Sequence, residues 1–126
     1  MGKKFTTALA MAILMALASS EALAAGDAAK GAKVFKKCKA CHALKAGKKK
    51  VGPSLHGIMG KEAAKMKGFK YSKAMKKSGV TWDEATLDKF LTKPKKFMKG
   101  TKMSFAGLKK EADRANVIAY IMEAAK

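Results

Sequence analysis

The stretch Cys38-Lys39-Ala40-Cys41-His42 contains both cysteines of the chain, three positions apart, with a histidine directly after the second one. Cysteines at this spacing near a helix end project to the same side, so their sulfurs can form thioether bonds to two neighbouring vinyl groups of one porphyrin. The histidine then lies close to the iron and can donate a ring nitrogen to it. The pattern therefore predicts one covalently attached c-type haem, with His42 as an iron ligand.

Two other chemistries use a similar pattern. A thioredoxin-like redox site needs a βαβ setting, and this sequence has few β-branched residues and no alternating apolar runs. A zinc site needs four ligands; the chain has only two cysteines and two histidines, and the spacing between Cys41 and His56 fits no standard zinc finger. Both chemistries stand as alternatives at this point.

Residues 1–24 have the features of a secretory signal peptide. A pair of lysines forms a positive n-region, residues 5–17 are almost wholly apolar, and Ala22-Leu23-Ala24 has the small-x-small form that a signal peptidase cleaves. An apolar run of about 13 residues is short for a membrane span, which needs roughly 20. We expect this segment to be removed and residues 25–126 to form one exported domain, in the oxidising compartment where haem attachment occurs. An uncleaved anchor is the alternative.

The chain is strongly basic. Lysine and arginine total 28 against nine acidic residues, which gives a net charge of +19, and Arg114 is the only arginine. Removal of the signal peptide would lower the net charge only to +18. Such an excess attracts anionic partners and makes encounter rates depend on salt. Acidic proteins, acidic membranes and nucleic acid all carry the required charge, and export argues against nucleic acid.

The helix signals predict an all-α fold. Lysine and alanine favour helix, and a mature domain of about 100 residues has a marginal core that a bulky apolar prosthetic group would fill. The first and last helices are expected to pack together. Caps and apolar stripes mark five helical segments: a helix capped by Asp27 that runs to about Lys39, a short one from Ser72 to Ser78-Gly79, one from Trp82 to about Thr92 with a capping box of Thr81 and Glu84, a turn after Pro94, and one from Lys110 to Ala125.

A haem electron carrier usually needs a second axial ligand, because an open iron position invites O₂ or peroxide chemistry. Only His56 and the methionines can supply it. Met103 lies in a loop, residues 100–107, far from Cys38 along the chain, and such a loop can wrap over the opposite haem face. Spacing alone leaves Met103, Met98 and His56 as candidates.

Several further strings of the sequence occur together in one known family. In this order, and together with the haem motif, they resemble class I c-type cytochromes, specifically the branch shared by mitochondrial cytochrome c and short bacterial periplasmic cytochromes. The resemblance covers residues 26–124 and implies a small domain of about five helices around one covalent haem. The strings are Gly52-Pro53-Ser54-Leu55-His56-Gly57, Gly68-Phe69-Lys70-Tyr71-Ser72, Gly79-Val80-Thr81-Trp82, Pro94-Lys95-Lys96-Phe97 and Gly100-Thr101-Lys102-Met103-Ser104-Phe105-Ala106-Gly107.

The resemblance implies how the iron is held. Cys38 and Cys41 would carry the thioether bonds, and His42 would be the proximal ligand. Met103, in the highly specific Gly-Thr-Lys-Met string, would be the sixth ligand. The carbonyl of Pro53 would accept a hydrogen bond from the other ring nitrogen of His42, which fixes the tautomer and raises the basicity of the ligand.

The resemblance also assigns roles around the porphyrin. Tyr71 and Trp82 would donate hydrogen bonds to a haem propionate from inside the protein. Thr101 would help to position the methionine loop.

Four positions depart from the common pattern of the family. Phe90 stands where a tyrosine hydroxyl often reaches the methionine sulfur, and Met75 replaces a frequent asparagine of the same internal polar network. Lys61 replaces a frequent arginine near the propionates, and Lys99 replaces a frequent proline before the methionine loop. The first two departures remove polar partners from the methionine side of the haem.

The resemblance implies a soluble, monomeric periplasmic carrier of single electrons and not an enzyme. Its partners would be redox proteins with acidic docking surfaces: a quinol–cytochrome c reductase, a terminal oxidase, a photosynthetic reaction centre or a periplasmic dehydrogenase. A haem enzyme or gas sensor with an open iron position, and a basic binding protein without a redox role, are the alternatives. Docking would use a ring of lysines around the exposed haem edge, together with Phe105; the lysines are Lys37, Lys39, Lys50, Lys95, Lys96, Lys102, Lys109 and Lys110.

Overall fold

The computed structural model describes residues 26–126, and the predicted signal peptide lies outside them. Within this range the chain forms five α-helices and no β-strand, which confirms the all-α prediction. None of the helices in these residues has the length and apolarity that crossing a membrane requires. In chain order the helices are α1 (Ala28–Phe35), α2 (Lys73–Ser78), α3 (Glu84–Thr92), α4 (Pro94–Phe97) and α5 (Glu111–Ala124).

The predicted caps of α1 and α2 are confirmed. The carboxylate of Asp27 accepts a hydrogen bond from Lys30 N at 3.0 Å, and Ser72 Oγ accepts one from Met75 N at 3.0 Å. Each side chain satisfies a backbone donor that has no partner within its helix. Gly79 ends α2 in the left-handed conformation, with φ of +62°, which glycine adopts without steric cost.

The predicted start of α3 is wrong by two residues. Its cap is Asp83 and not Thr81, because the Asp83 carboxylate accepts a hydrogen bond from Thr86 N at 2.7 Å. Thr81 lies in an isolated β-bridge, and its neighbour Trp82 donates from its backbone to Lys61 O at 2.8 Å. This non-local pairing keeps the segment extended, and the charged carboxylate is a stronger acceptor than a hydroxyl.

α1 also ends earlier than predicted. The regular helix stops at Phe35 and does not continue to Lys39. In the turns that follow, Cys38 N donates to Phe35 O at 2.8 Å and His42 N donates to Cys38 O at 2.9 Å. The first of these bonds spans three residues, as in a 3₁₀ turn, so the chain tightens where the haem motif begins.

α1 and α5 cross at a glycine, as the pairing of the first and last helices predicted. A Cβ atom at Gly31 would overlap the carbonyl oxygen of Asn116, so only glycine allows the two backbones to approach this closely. The rings of Phe35 and Tyr120 pack with centroids 5.2 Å apart, and Val117 is fully buried beside them. This crossing fixes the end of α1, where the haem motif starts.

The apolar core shares a wall with a cavity of about 650 Å³, here called the main cavity. The buried apolar residues are Phe35, Ala63, Trp82, Leu87, Phe90, Leu91, Met98, Leu108, Val117, Ile118, Ile121 and Ala125. Six of them, all from α3, α5 or the segment just before α3, also line the cavity. The helices that stabilise the domain therefore also shape its site.

Candidate haem site

The haem motif, residues 38–42, is a turn held in place by a loop from further along the chain. Gly52 N donates to Cys41 O at 2.7 Å, and Leu55 N donates to Ala43 O at 2.9 Å. These bonds hold the loop at residues 51–56 against the motif. They bring the carbonyls and side chains of this loop to the cavity that the motif also lines.

The two thiols face different environments. Cys38 is half-buried and Cys41 is exposed. Burial raises the pKa of the Cys38 thiol, and the charge of the neighbouring Lys37 partly offsets that rise.

The imidazole of His42 is oriented by Pro53. Its Nδ1 lies 2.8 Å from the Pro53 carbonyl oxygen. Because a carbonyl can only accept, Nδ1 carries the proton and Nε2 keeps its lone pair. Burial lowers the pKa of His42, and the bond to Pro53 partly offsets this, so the ring is neutral at neutral pH. Gly52 runs close beside the ring: a Cβ there would lie 2.5 Å from His42 Cε1.

One cavity of about 650 Å³ joins the residues that the sequence assigned to the haem. Its volume lies within the range of about 300–1,000 Å³ that is typical of cofactor sites. Two thiols, an imidazole with a free Nε2 and a thioether around an apolar volume are the groups that bind a c-type haem. The residues therefore fit this group. The cavity lining includes all eight predicted cofactor-binding residues: Cys38, Cys41, His42, Pro53, Tyr71, Trp82, Thr101 and Met103.

Met103 reaches the cavity from the loop between α4 and α5. Met103 N donates to Thr101 Oγ1 at 3.3 Å, and Thr101 N donates to Met98 O at 3.1 Å. Met98, a rival candidate for the sixth ligand, is buried in the core and away from the cavity lining. His56 lines the cavity, but it is exposed.

Tyr71 and Trp82 form part of the cavity wall. The Tyr71 hydroxyl accepts a hydrogen bond from Met66 N at 3.3 Å, which leaves its own hydrogen available to an acceptor in the cavity. Burial raises the pKa of Tyr71, so the hydroxyl is protonated. Trp82 is buried, and its ring centroid lies 5.0 Å from that of Phe90.

Two apolar side chains of the cavity wall come from α2 and α3. Phe90 is buried and lines the cavity from α3, and Met75 lines it from the first turn of α2. These are two of the positions at which the sequence departs from the resemblance. The other two, Lys61 and Lys99, are exposed, and Lys61 also lines the cavity.

The structure brings some of the predicted docking residues together and leaves others apart. Lys37, Lys102 and Phe105 line the main cavity, and Lys95 lies with Phe105 at a neighbouring cavity of about 300 Å³. Beside the haem motif, the exposed Lys50 Nζ donates to Lys39 O at 2.7 Å. The remaining three predicted lysines are exposed and do not line either cavity: Lys96, Lys109 and Lys110.

Sequence reasoning assigned no role to Arg114, which the structure shows to be a buried charge. Its Nε donates to Asp88 Oδ1 at 2.7 Å, and its Nη1 donates to Leu108 O at 2.9 Å and to Lys109 O at 3.0 Å. The available signal was composition: a single arginine among 27 lysines marks a place where a planar group with several donors is needed.

The fold and the site define a small all-α protein built to carry one covalent haem. Residues 28–125 match the Cytochrome c family. The chain is 54% identical over 104 residues to cytochrome c2 of Rhodomicrobium vannielii, which covers 82% of this chain and 83% of that protein. It is 52% identical over 100 residues to cytochrome c2 of Rhodoblastus acidophilus, covering 79% and 94%. Among solved structures, cytochrome cH from Methylobacterium extorquens aligns with a TM-score of 0.73 at 46% identity, covering 77% of this chain and 98% of that chain.

These matches show that the chain belongs to the cytochrome c family, and the resemblance to class I c-type cytochromes is confirmed. The family binds one covalent haem c, so the thioredoxin-like and zinc alternatives are wrong. The chain is a haem-containing electron carrier.

Proposed function

We propose that this chain is a periplasmic carrier of single electrons in which Cys38 and Cys41 would form the thioether bonds to the haem, and His42 and Met103 would bind its iron. The observation that carries the proposal is that these four side chains, from two distant segments, line one cavity with a largely apolar wall. The haem supplies the one-electron exchange between Fe(II) and Fe(III).

His42 is suited to be the proximal ligand. Its Nδ1 donates a hydrogen bond to the Pro53 carbonyl oxygen at 2.8 Å. This bond keeps the proton on Nδ1 and leaves the lone pair of Nε2 available to the cavity. A second-shell acceptor of this kind also raises the basicity of the ring. The close backbone at Gly52 restricts rotation of the imidazole, which holds the ring in one orientation.

Met103 and its surroundings favour the reduced state. A thioether is a soft ligand that favours Fe(II), and the apolar wall of Phe90 and Met75 disfavours the extra positive charge of Fe(III). Thr101 positions the loop through its hydroxyl group. Tyr71 and Trp82 would donate hydrogen bonds to a haem propionate, Tyr71 through the hydrogen that its bond with Met66 leaves available.

We infer that the chain is not an enzyme. With His42 and Met103 both on the iron, no coordination position remains for a substrate or for O₂. A native protein that binds CO rapidly at neutral pH would contradict this inference and favour a haem enzyme or gas sensor.

The proposed docking surface consists of lysines around Phe105. Lys37, Lys95 and Lys102 carry the strongest structural support, because they lie at the cavities that Phe105 also lines. A high positive charge steers acidic proteins to this surface, and the small contacts of electron-transfer complexes release them quickly. The partners are redox proteins with acidic surfaces, such as a quinol–cytochrome c reductase, a terminal oxidase, a photosynthetic reaction centre or a periplasmic dehydrogenase. The remaining members of the ring are Lys39, Lys50, Lys96, Lys109 and Lys110.

The location follows from the proposed signal peptide. Residues 1–24 are removed on export, and residues 25–126 act in the periplasm as a monomer without a membrane anchor. Mass spectrometry of the protein from a periplasmic extract tests this proposal. The expected mass is that of residues 25–126 plus one haem, and a mass that includes residues 1–24 contradicts cleavage.

Haem attachment and ligation are tested together by extraction and visible spectra. Extraction with acidified acetone is expected to leave the haem on the protein and to remove it from the Cys38→Ala, Cys41→Ala double variant. The oxidised protein is expected to show the far-red band of sulfur-to-iron coordination, and Met103→Ala is expected to lose it. Met98→Leu and His56→Ala are the matched controls and are expected to keep the band. Loss of the band in Met98→Leu, with the band kept in Met103→Ala, would assign the sulfur ligand to Met98. A wild-type protein without the band would contradict methionine ligation and favour His56.

Docking is tested by electron-transfer kinetics with an acidic redox protein at increasing ionic strength. The second-order rate constant is expected to fall as salt screens the attraction. Lys37→Glu is expected to slow the reaction more than Lys89→Glu, which makes the same charge change at an exposed position of α3 away from the cavity. Equal effects of both variants, or a rate constant that salt does not change, contradict the proposed surface.

A further inference from the structure

Arg114 is a buried charge for which haem binding and docking supply no role. It lies in the first turn of α5, and only 11% of its side chain is exposed. A buried guanidinium must keep its N–H groups hydrogen-bonded, because its desolvation is otherwise not offset. In residues 26–126, no buried side-chain nitrogen or oxygen lacks a hydrogen-bond partner. The partners of Arg114 therefore indicate what it does.

These partners come from two other parts of the structure. Nη1 donates to the carbonyls of Leu108 and Lys109, at 2.9 and 3.0 Å, and Nε donates to the Asp88 carboxylate of α3 at 2.7 Å. Leu108 is also tied to α3 directly, because its backbone N donates to Leu91 O at 2.8 Å. One guanidinium thus joins α5, α3 and the segment that directly follows the methionine loop.

Few hydrogen bonds hold the methionine loop itself, residues 100–107, in place. At its start Thr101 N donates to Met98 O at 3.1 Å, and the Met103 amide is held by the Thr101 hydroxyl at 3.3 Å. At its end Gly107 adopts φ of +110° against the carbonyl of Thr92 at the end of α3. Besides the packing of Met103 and Phe105 against the core, contacts before and after Met103 hold the loop, and Arg114 supplies part of those after it.

We propose that Arg114 is a positioning residue for the methionine loop: by tying Leu108 and Lys109 to α3, it keeps the Met103 thioether in the cavity. The inference rests on the proposed function, since the position of Met103 matters through iron ligation. A planar guanidinium can donate to a carboxylate and to two carbonyls at once, and a lysine ammonium cannot reproduce that geometry. Because α3 also carries Phe90, the loop and the cavity wall are held to each other.

The test uses imidazole as an external ligand that competes with Met103 for the iron. The variants are Arg114→Lys, which keeps the charge but not the geometry, and Asp88→Asn, which keeps an acceptor but not the charge. Ile118→Val is the matched control, because Ile118 is a buried residue of the same helix that does not line the cavity. Imidazole affinity of the oxidised holoprotein is measured from the loss of the far-red band, and global stability from denaturant unfolding.

Imidazole is expected to bind Arg114→Lys about tenfold more tightly than the wild type, which corresponds to roughly 1.4 kcal/mol lost from the closed loop. Asp88→Asn is expected to shift the affinity in the same direction by a smaller factor. Ile118→Val is expected to unfold at a lower denaturant concentration while its imidazole affinity stays at the wild-type value. Wild-type affinity in Arg114→Lys, or an equal shift in the Ile118 control, would overturn the proposal.

Hydrogen exchange provides a second readout that does not depend on the haem spectrum. In Arg114→Lys, the amides of the methionine loop are expected to exchange faster while those of α1 keep their protection. If Arg114→Lys does not fold, Asp88→Asn decides the matter by the same two measurements, and unchanged values there overturn the proposal. Failure of the proposed function looks different: the wild-type protein would then lack the far-red band before any substitution is made.

Discussion

Replacing Gly31 with alanine sets two physical effects against each other. Helix propensity alone predicts that Gly31→Ala stabilises the protein by about 0.5–1 kcal/mol, because glycine within a helix is less favourable than alanine by that amount. The structure predicts the opposite sign. A Cβ at Gly31 would overlap the carbonyl oxygen of Asn116 and lie 2.8 Å from the Cβ of Tyr120. A backbone carbonyl cannot rotate away, so α1 and α5 must move apart.

The cost of this separation outweighs the gain in propensity. Adding a methyl group to a well-packed contact costs about 1–3 kcal/mol even where side chains can adjust. Here the separation also loosens the packing of Phe35 on Tyr120, whose ring centroids lie 5.2 Å apart, and the burial of Val117. We expect a net loss of about 2 kcal/mol, a substantial part of the roughly 5–15 kcal/mol that stabilises a typical domain.

Denaturant unfolding of the oxidised holoprotein measures this effect. Ala29→Gly is the control, because Ala29 is exposed on the same helix and its replacement is expected to cost only the propensity difference of about 1 kcal/mol. If Gly31→Ala is as stable as the wild type, or more stable, then the helix crossing does not require a glycine and the reasoning is refuted.

Three further predictions concern single substitutions. Gly52→Ala is expected to reduce the fraction of protein with normal His42 ligation, because the added Cβ would lie 2.5 Å from the imidazole Cε1. The visible spectrum measures this fraction, and an unchanged spectrum would contradict the close approach of the backbone to the ring. Phe90→Tyr is expected to lower the free energy of unfolding by about 1–3 kcal/mol, because Met75 replaces the asparagine of the polar network that would surround the new hydroxyl, and a buried hydroxyl without a strong acceptor is costly. Phe97→Tyr at an exposed position is expected to change the free energy of unfolding by less than about 0.5 kcal/mol. Equal stability of both variants would show that the buried hydroxyl finds a partner, such as the Met103 sulfur, and would contradict this reasoning. Hydrogen bonds from the backbone lower the pKa of Asp83, so its stabilising effect is present above its ordinary pKa and is lost as the pH falls through the folded-state pKa. Asp83→Asn is therefore expected to flatten the decrease in stability on acidification, measured by unfolding between about pH 6 and about pH 3.

The sequence predicted those features that depend on neighbours along the chain. The caps of α1 and α2 were recognised because an N-cap side chain bonds a backbone amide three residues later, as Asp27 and Ser72 do. The cap of α3 was missed because Thr81 is held in a bridge with Glu62, a contact that no local pattern reveals. Local rules are therefore reliable only where no tertiary contact competes with them.

The same distinction applies to the site. The spacing within the haem motif predicts the attachment residues without a structure, and the structure places them in one cavity with the other predicted residues. The role of Arg114 was not, because its partners Asp88 and Leu108 are 26 and 6 residues away. The predicted docking lysines were equally hard to separate from the others, since 27 lysines are spread along the sequence and only the structure places Lys37 and Lys102 at the cavity.

Two different sets of contacts position the two proposed iron ligands, and α5 takes part in both. Gly31 of α1 contacts the Asn116 and Tyr120 region of α5, and this crossing supports the end of α1 from which His42 follows. Arg114 of the same helix donates hydrogen bonds to Asp88 of α3 and to Leu108, which directly follows the methionine loop. A substitution at the crossing should therefore disturb the histidine side first, and a substitution at Arg114 the methionine side first, although both lie in or against a single helix.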